Sequence, residues 1–256
     1  MPTTAAVLGA GVIGCSWAAL FAAAGLPVRV FDPRSNARDD VVAFWENVRP
    51  DLARLGLLKF EGTPKFEVFT SAARSVEGAD FVQECAPERL ALKQSLYAEI
   101  EPALRPDAIV ATSSSGLLLT DLQQGWKDPA RIIIAHPFNP PHLIPLVELF
   151  GNDATAVGVL DRAAHFYEHC GKVTIRLRKE VPAHVANRLQ AALWREAIHL
   201  VREGVVSASD VDLAITAGPG LRWAVMGPHM LLNLGGGPGG LRAYCEQFRD
   251  SYHLWW

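Results

Sequence analysis

Ala5-Ala6-Val7-Leu8-Gly9-Ala10-Gly11-Val12-Ile13-Gly14, continued by small apolar residues to Ala24 and then by Val28-Arg29-Val30-Phe31-Asp32, is the stretch that decides the fold. Ala5–Leu8 and Val28–Phe31 are short apolar runs that predict buried strands, and Val12–Ala24 predicts an Ala-rich helix between them. Gly9-x-Gly11-x-x-Gly14 falls between strand and helix. In that position the first glycine permits a tight turn, the second lets the backbone approach a pyrophosphate, and the third lets helix and strand pack closely. The helix N-terminus, opening at Val12 and Ile13, then offers free N–H groups to phosphate. Asp32 ends the second strand about 20 residues on, where a carboxylate binds ribose hydroxyls. A carboxylate there repels a 2′-phosphate, which predicts NAD as cofactor, with Gly9, Gly11, Val12, Ile13, Gly14 and Asp32 as its site. Arg34 keeps NADP open as an alternative, and a glycine-rich turn without any ligand is the bland one.

Outward from this unit, strand and helix patterns keep alternating. Ala37–Leu58 has helical spacing, with Pro50 expected to kink or split it. Further strands are predicted at Phe66–Phe69, Ala79–Gln83, Ile109–Ala111, Arg131–Ala135, Leu146–Leu149 and Val173–Leu177, and a helix over Glu88–Leu104. Such alternation is the pattern of an α/β protein with a mainly parallel, doubly wound sheet of Rossmann type. From Pro182 the strand signal stops, and helices are expected at Val185–Val201, Ala208–Ile215 and Pro228–Leu234. Two domains follow: residues 1–180, which bind the cofactor, and a smaller all-helical domain, 181–256.

A chain of 256 residues that is 50% apolar and 20% charged, with net charge −3, is ordinary for a globular protein and carries no basic footprint for nucleic acid. Cys15, Cys85, Cys170 and Cys245 are scattered without a C-x-x-C pair, which predicts reduced, mostly buried thiols. Residues 4–26 are nearly uncharged, as a leader would be, but no basic residue precedes them and glycines interrupt the run. The expectation is a cytoplasmic protein with no membrane segment. His165 and His169, four apart on a helix face, lack a third ligand and read as surface residues, so no metal is expected. The glycines of 235–240 read as a turn between helices, and Trp17 and Trp45 as packing.

Three further segments carry chemistry-bearing side chains. Ala111-Thr112-Ser113-Ser114-Ser115 follows a strand and by composition reads as a loop. His136-Pro137-Phe138-Asn139-Pro140-Pro141 follows another, with Leu146-Val147-Glu148 beyond it. Val181-Pro182-Ala183-His184-Val185-Ala186-Asn187-Arg188-Leu189 opens the helical part. Taken together, and in order along the chain, these resemble the 3-hydroxyacyl-CoA dehydrogenase superfamily. Gln83-Glu84-Cys85-Ala86-Pro87-Glu88, Ser115-Gly116-Leu117-Leu118, Ala192-Leu193-Trp194-Arg195-Glu196-Ala197 and Gly218-Pro219-Gly220-Leu221-Arg222-Trp223-Ala224 resemble most closely its branch of L-carnitine and L-gulonate 3-dehydrogenases and lambda-crystallins.

The resemblance implies an NAD-dependent oxidoreductase acting on an L-3-hydroxy acid, with His136 as acid/base and Glu148 orienting it. Ser115 and Asn187 fall where the family binds the reacting oxygen, and Glu88 and Lys93 near the nicotinamide ribose. Asn187 would then come from the second domain. A carnitine-like substrate would suit the aromatic faces of Phe138, Trp194 and Trp223, with Arg195 or Arg222 for its carboxylate. A short-chain 3-hydroxyacyl-CoA, L-gulonate, a crystallin-like protein that keeps the fold without turnover, and an NAD-sensing or dimerisation module are the alternatives. Ala183 replaces the family's usual glycine, where a methyl group is expected to crowd the cleft. Relatives are expected to continue for several helices past Trp256, so the helical domain reads as shortened. Association as a homodimer through that domain is expected, because its few apolar helices cannot close a core alone.

Overall fold

Short apolar runs become strands, and the helical stretches between them, the Ala-rich one almost wholly buried, cover the sheet. The computed structural model describes residues 4–59 and 62–255. In chain order the strands are β1 (Ala5–Leu8), β2 (Val28–Phe31), β3 (Phe66–Phe69), β4 (Phe81–Glu84), β5 (Ile109–Thr112), β6 (Ile132–Pro137), β7 (Leu146–Phe150) and β8 (Val173–Arg176). The helices are α1 (Val12–Ala23), α2 (Ala37–Arg54), α3 (Ala72–Val76), α4 (Leu90–Ile100), α5 (Leu119–Leu122), α6 (Val159–His169), α7 (Ala186–Arg202), α8 (Ala208–Ala217), α9 (Pro219–Trp223), α10 (Pro228–Gly235) and α11 (Gly240–Trp255).

The strands form one sheet in the order β3-β2-β1-β4-β5-β6-β7-β8. β1 to β6 run parallel, β7 is antiparallel to β6, and β8 is parallel to β7. Strand order reverses direction between β1 and β4, and a doubly wound sheet binds its ligand in the crevice beyond the strand ends at such a point. The alternation of side chains assigns each strand to two cores. Ala5, Val7, Ile133, Ala135, Val147 and Leu149 pack on one face with Trp17, Trp45, Phe166 and Tyr167. Ala6, Leu8, Val110, Ile132 and Ile134 pack on the other with Leu96, Tyr97, Leu119 and Leu122. Both faces being covered, the central strands are continuous apolar runs.

Three expectations change. Pro50 does not split its helix: α2 runs unbroken through it, because Val41, Trp45, Val48 and Leu52 dock one face while Pro50 lies on the exposed one. The strand expected from Ala79 begins at Phe81, since the Ala79 N–H is spent on the Val76 carbonyl at the end of α3. The helix expected over Glu88–Leu104 is shorter, Leu90–Ile100 followed by a 3₁₀ turn at Glu101–Ala103. The other expected strands and helices agree to within a few residues, and α3, α5 and α9 are short helices beyond those expected.

The chain forms two compact units, Met1–Arg188 and Leu189–Trp256. The second is helical, and from Leu189 to Trp255 no described residue is buried. Leu189, Trp194, Leu213, Leu221 and Met230 are all more than half exposed. Among the described residues no helix is long and apolar enough to cross a membrane, and no group of three or more His, Cys, Asp or Glu is placed to hold a metal ion.

Candidate active site

The three glycines after β1 differ in what surrounds them. Gly9 has φ +103°, and a Cβ there would stand 2.9 Å from the Cys85 carbonyl oxygen at the end of β4. A Cβ on Gly14 would stand 1.7 Å from the Gly9 carbonyl oxygen, so α1 reaches β1 only without one. A Cβ on Gly11 would meet nothing within 4 Å, which leaves its backbone open to a ligand. Val12 is exposed at the first turn of α1, while Ile13 leans on the core. These features fit a dinucleotide pyrophosphate at the helix N-terminus.

Asp32 stands directly after β2, nearly buried, and its Oδ2 accepts the Ala10 N–H at 2.8 Å. Its Oδ1 accepts the Arg34 N–H and Nε at 3.0 and 2.9 Å. Burial alone would raise the Asp32 pKa, but the Arg34 and Ala10 hydrogen bonds outweigh it and hold the carboxyl below its ordinary value. Asp32 is therefore an anion at neutral pH. Arg34 is drawn inward onto Asp32 and onto Asp40, at 2.9 Å, so its charge already has two partners.

Beneath the crevice lies a buried polar cluster. Lys93 Nζ donates to Glu84 Oε1 and Oε2 at 2.7 and 2.8 Å and to the Ala86 carbonyl at 3.1 Å. Tyr97 and Thr112 hydroxyls donate to Glu84 Oε2 at 2.7 and 2.6 Å. Lys93 and Glu84 are 1% and 0% exposed, so the lysine expected at the ribose spends its donors on protein. It also comes within 3.6 Å of Glu88. Glu88 Oε1 accepts from Ser114 Oγ at 2.6 Å and from the N–H groups of Ser115, Gly116 and Leu117 at 3.0, 2.8 and 3.3 Å. Burial would raise its pKa; these donors and Lys93 hold it low. One carboxylate oxygen thus shapes the loop that carries Ser115.

His136 and Glu148 face each other across the antiparallel rung of β6 and β7. His136 Nδ1 lies 2.8 Å from Glu148 Oε2. Glu148 is fully buried, and its Oε1 accepts the N–H groups of Val185 and Ala186 at 2.9 and 3.0 Å, at the start of α7. Burial would raise the Glu148 pKa, but His136, Ala186 and Val185 together hold it below its ordinary value. An ionised carboxylate only accepts, so the neutral imidazole carries its proton on Nδ1 and keeps the Nε2 lone pair free. That is a base with its tautomer fixed.

The β6–β7 loop is pinned from outside. Ser16 Oγ accepts the His142 N–H at 2.9 Å, and Lys172 Nζ donates to the Pro141 and Ile144 carbonyls at 2.5 and 2.6 Å. Burial brings the Lys172 pKa down to about 8. Phe138 stands edge-on to His136 at 5.5 Å between ring centroids. The His184 ring centroid lies 4.9 Å from that of His136. Ala183 and His184 both have positive φ, +63° and +53°. Glycine suits such a backbone, so Ala183 carries conformational strain there.

Ser115 and Asn187 are half-buried, and Asn187 is the last residue but one of the first compact unit. Trp194, Arg195, Arg222 and Trp223 are exposed within the second unit. Reasoning from the sequence missed Glu84, Tyr97, Thr112 and His184. A glutamate closing an apolar strand, with a lysine nine residues on, was the available sign of the buried pair. Free thiols complete the site's surroundings: burial pushes Cys15 up to about 11 and Cys85 up to about 12.

Residues 4–181 match the NAD-binding domain of 3-hydroxyacyl-CoA dehydrogenase, and residues 184–255 its C-terminal domain. The chain is 45% identical to an L-carnitine dehydrogenase of Streptomyces coelicolor over 98% of its own length and 79% of that protein. It is also 45% identical to one of Burkholderia mallei, over 99% and 79%. Among solved structures, 5-formyl-3-hydroxy-2-methylpyridine 4-carboxylic acid 5-dehydrogenase, an NAD+-dependent dismutase, superposes with TM-score 0.88 at 32% identity, covering 97% of this chain and 80% of that one. The 3-hydroxybutyryl-CoA dehydrogenase of Escherichia coli gives TM-score 0.76 at 26% identity, covering 98% and 53%. With both family domains matched over nearly its whole length and the glycine crevice and His–Glu rung in place, this chain belongs to the 3-hydroxyacyl-CoA dehydrogenase family.

Proposed function

We propose that this NAD-dependent dehydrogenase oxidises the secondary alcohol of a small, free L-3-hydroxy acid, L-carnitine first among them, with His136 as the base. The observation that carries the reading is the His136–Glu148 rung, because it fixes the imidazole tautomer and leaves Nε2 unprotonated. The hydroxyl proton passes to His136 Nε2, the O–H electron pair becomes the second C–O bond of the ketone, and the carbinol hydrogen leaves as hydride with the C–H pair. NAD supplies the hydride acceptor. Glu148, anionic and held by two N–H groups, stabilises the imidazolium that forms. Ser115 and Asn187 hold the reacting oxygen against His136. Glu88 acts by shaping the Ser115 loop, and Lys93, buried on Glu84, stands within 3.6 Å of Glu88.

For the substrate, the relatives' names favour L-carnitine, and Phe138 supports them physically. A quaternary ammonium donates no hydrogen bond and is held by aromatic faces, at roughly 0.5–2 kcal/mol each. The test is NADH formation with L-carnitine, L-gulonate, 3-hydroxybutyrate and 3-hydroxybutyryl-CoA, each with NAD and with NADP. L-Carnitine with NAD is expected to give the highest kcat/KM. Good turnover of 3-hydroxybutyryl-CoA without carnitine would move the substrate to acyl-CoA and leave the acid/base assignment standing. Equal use of NAD and NADP would remove Asp32 as the discriminating group.

The same reading makes the protein a homodimer through residues 181–256 and places it in the reducing cytoplasm, with the first domain, 1–180, holding the cofactor. The apolar side chains left exposed on the second unit support the dimer. Light scattering at tens of micromolar, a concentration typical of such assays, is expected to give twice the 27.8 kDa chain mass. A clean monomer would refute it.

A further inference from the structure

We propose that His184 is a positioning residue of the reaction: neutral, with its proton on Nε2, it ties the Ser115 loop to the His136 ring. The inference rests on the reading of His136 as acid/base. Its basis is a segment of four residues, Ala183 to Ala186, that reaches Ser114, His136 and Glu148. His184 Nε2 lies 3.0 Å from the Ser114 carbonyl oxygen. A carbonyl only accepts, so this nitrogen carries the hydrogen. The ring is buried and lies 4.9 Å from that of His136, inclined by 42°. The two residues that follow, Val185 and Ala186, give their N–H groups to Glu148.

The backbone is bent for this purpose. Ala183 and His184 both occupy the left-handed region, which residues with a Cβ rarely adopt. Strain of this kind persists where surrounding contacts over-determine it. Here those contacts are the Ser114 carbonyl, the His136 ring and the Glu148 carboxylate, and the strained turn aims one side chain and two N–H groups at all three.

Charge supports the same role. Around the His184 ring stand the Ser114 carbonyl and His136, with the carboxylates of Glu148 and Glu88 acting at longer range. Burial lowers the His184 pKa, and the Ser114 bond and the two carboxylates oppose it without overturning it. Of two imidazoles in contact, the one paired with Glu148 is the one built to take a proton. His184 then remains a neutral wall, and its N–H holds the carbonyl of Ser114, the residue next to Ser115, while Glu88 holds the Ser114 hydroxyl.

Two variants separate donor from ring. His184→Phe keeps an aromatic ring and loses the N–H; His184→Gln keeps an amide donor and loses the ring. On the best substrate of the panel, His184→Phe is expected to lower kcat about tenfold, the scale of one lost buried hydrogen bond, with KM for NAD unchanged. His184→Gln should recover part of that loss. In a Ser115→Ala background, His184→Phe should have little further effect, because the two act as a unit. Independently of turnover, the ¹⁵N imidazole resonances of the unmutated protein at neutral pH should report His184 as neutral and protonated on Nε2. Full activity of His184→Phe, multiplicative losses in the double variant, or an Nδ1–H tautomer would each overturn the proposal. If His184→Phe does not fold, His184→Gln and the resonances decide it. Full turnover of His136→Gln would instead remove the acid/base reading beneath it.

Discussion

Replacing His136 by glutamine is expected to leave a folded protein that binds NADH and turns substrate over about 10²–10⁴ times more slowly, the range for loss of a general base. The size follows from the rung. Glu148 fixes the hydrogen on Nδ1, so Nε2 is the one nitrogen able to accept a proton, and an amide in its place accepts none at neutral pH. Glu148→Gln should cost less, because the imidazole remains and loses only its orientation and the anion that stabilises its charged form. NADH binding, followed by fluorescence, should be nearly unchanged in His136→Gln, since the glycine turn, Gly11 and Asp32 are untouched. Undiminished turnover in that variant would refute the mechanism.

The second large effect concerns stability. Lys93→Met should lower the free energy of unfolding by about 3–5 kcal/mol, the cost of leaving one member of a buried ion pair without its partner. Glu84 would then stand fully buried against Tyr97, Thr112 and the Ala86 N–H, with three hydrogen bonds and no countercharge. The double variant Glu84→Gln/Lys93→Met removes both charges and should recover a large part of the loss, because no uncompensated charge remains. Urea unfolding of the unmutated protein and the two variants checks this. A Lys93→Met variant within about 1 kcal/mol of the unmutated protein, the scale of an exposed pair, would show that the pair contributes no more than a surface one.

How far the sequence could be read depended on whether a feature is local. Gly9, Gly11 and Gly14 each impose a backbone requirement within one turn, and the structure gives each a separate reason. His136 and Glu148 were found as residues, but their opposition across a rung needed the antiparallel turn of β7, which an apolar run such as Leu146–Leu149 does not announce. The Glu84 cluster draws on β4, α4 and β5, and no window of sequence holds all of its members. Ala183 could be seen to stand where glycine is usual. That its backbone is left-handed, and that the following histidine shares the strain, is a property of the fold around Glu148. Pro50 misled because a proline signals a break without saying whether its face meets core or water.

The hairpin that joins β6 to β7 also limits how a lineage may lengthen or shorten this chain. Successive strand residues point to opposite faces, so an insertion taken up within either strand turns His136 or Glu148 away from its partner and separates the pair in one event. The connecting loop offers little slack to absorb it, being pinned at His142 by Ser16 and at Pro141 and Ile144 by Lys172. Point changes are another matter at the tip, where Leu143 and Ile144 are 42% and 40% exposed. Inherited variation at this tip should therefore be free to alter letters, while the segment between β6 and β7 is closed to altering length.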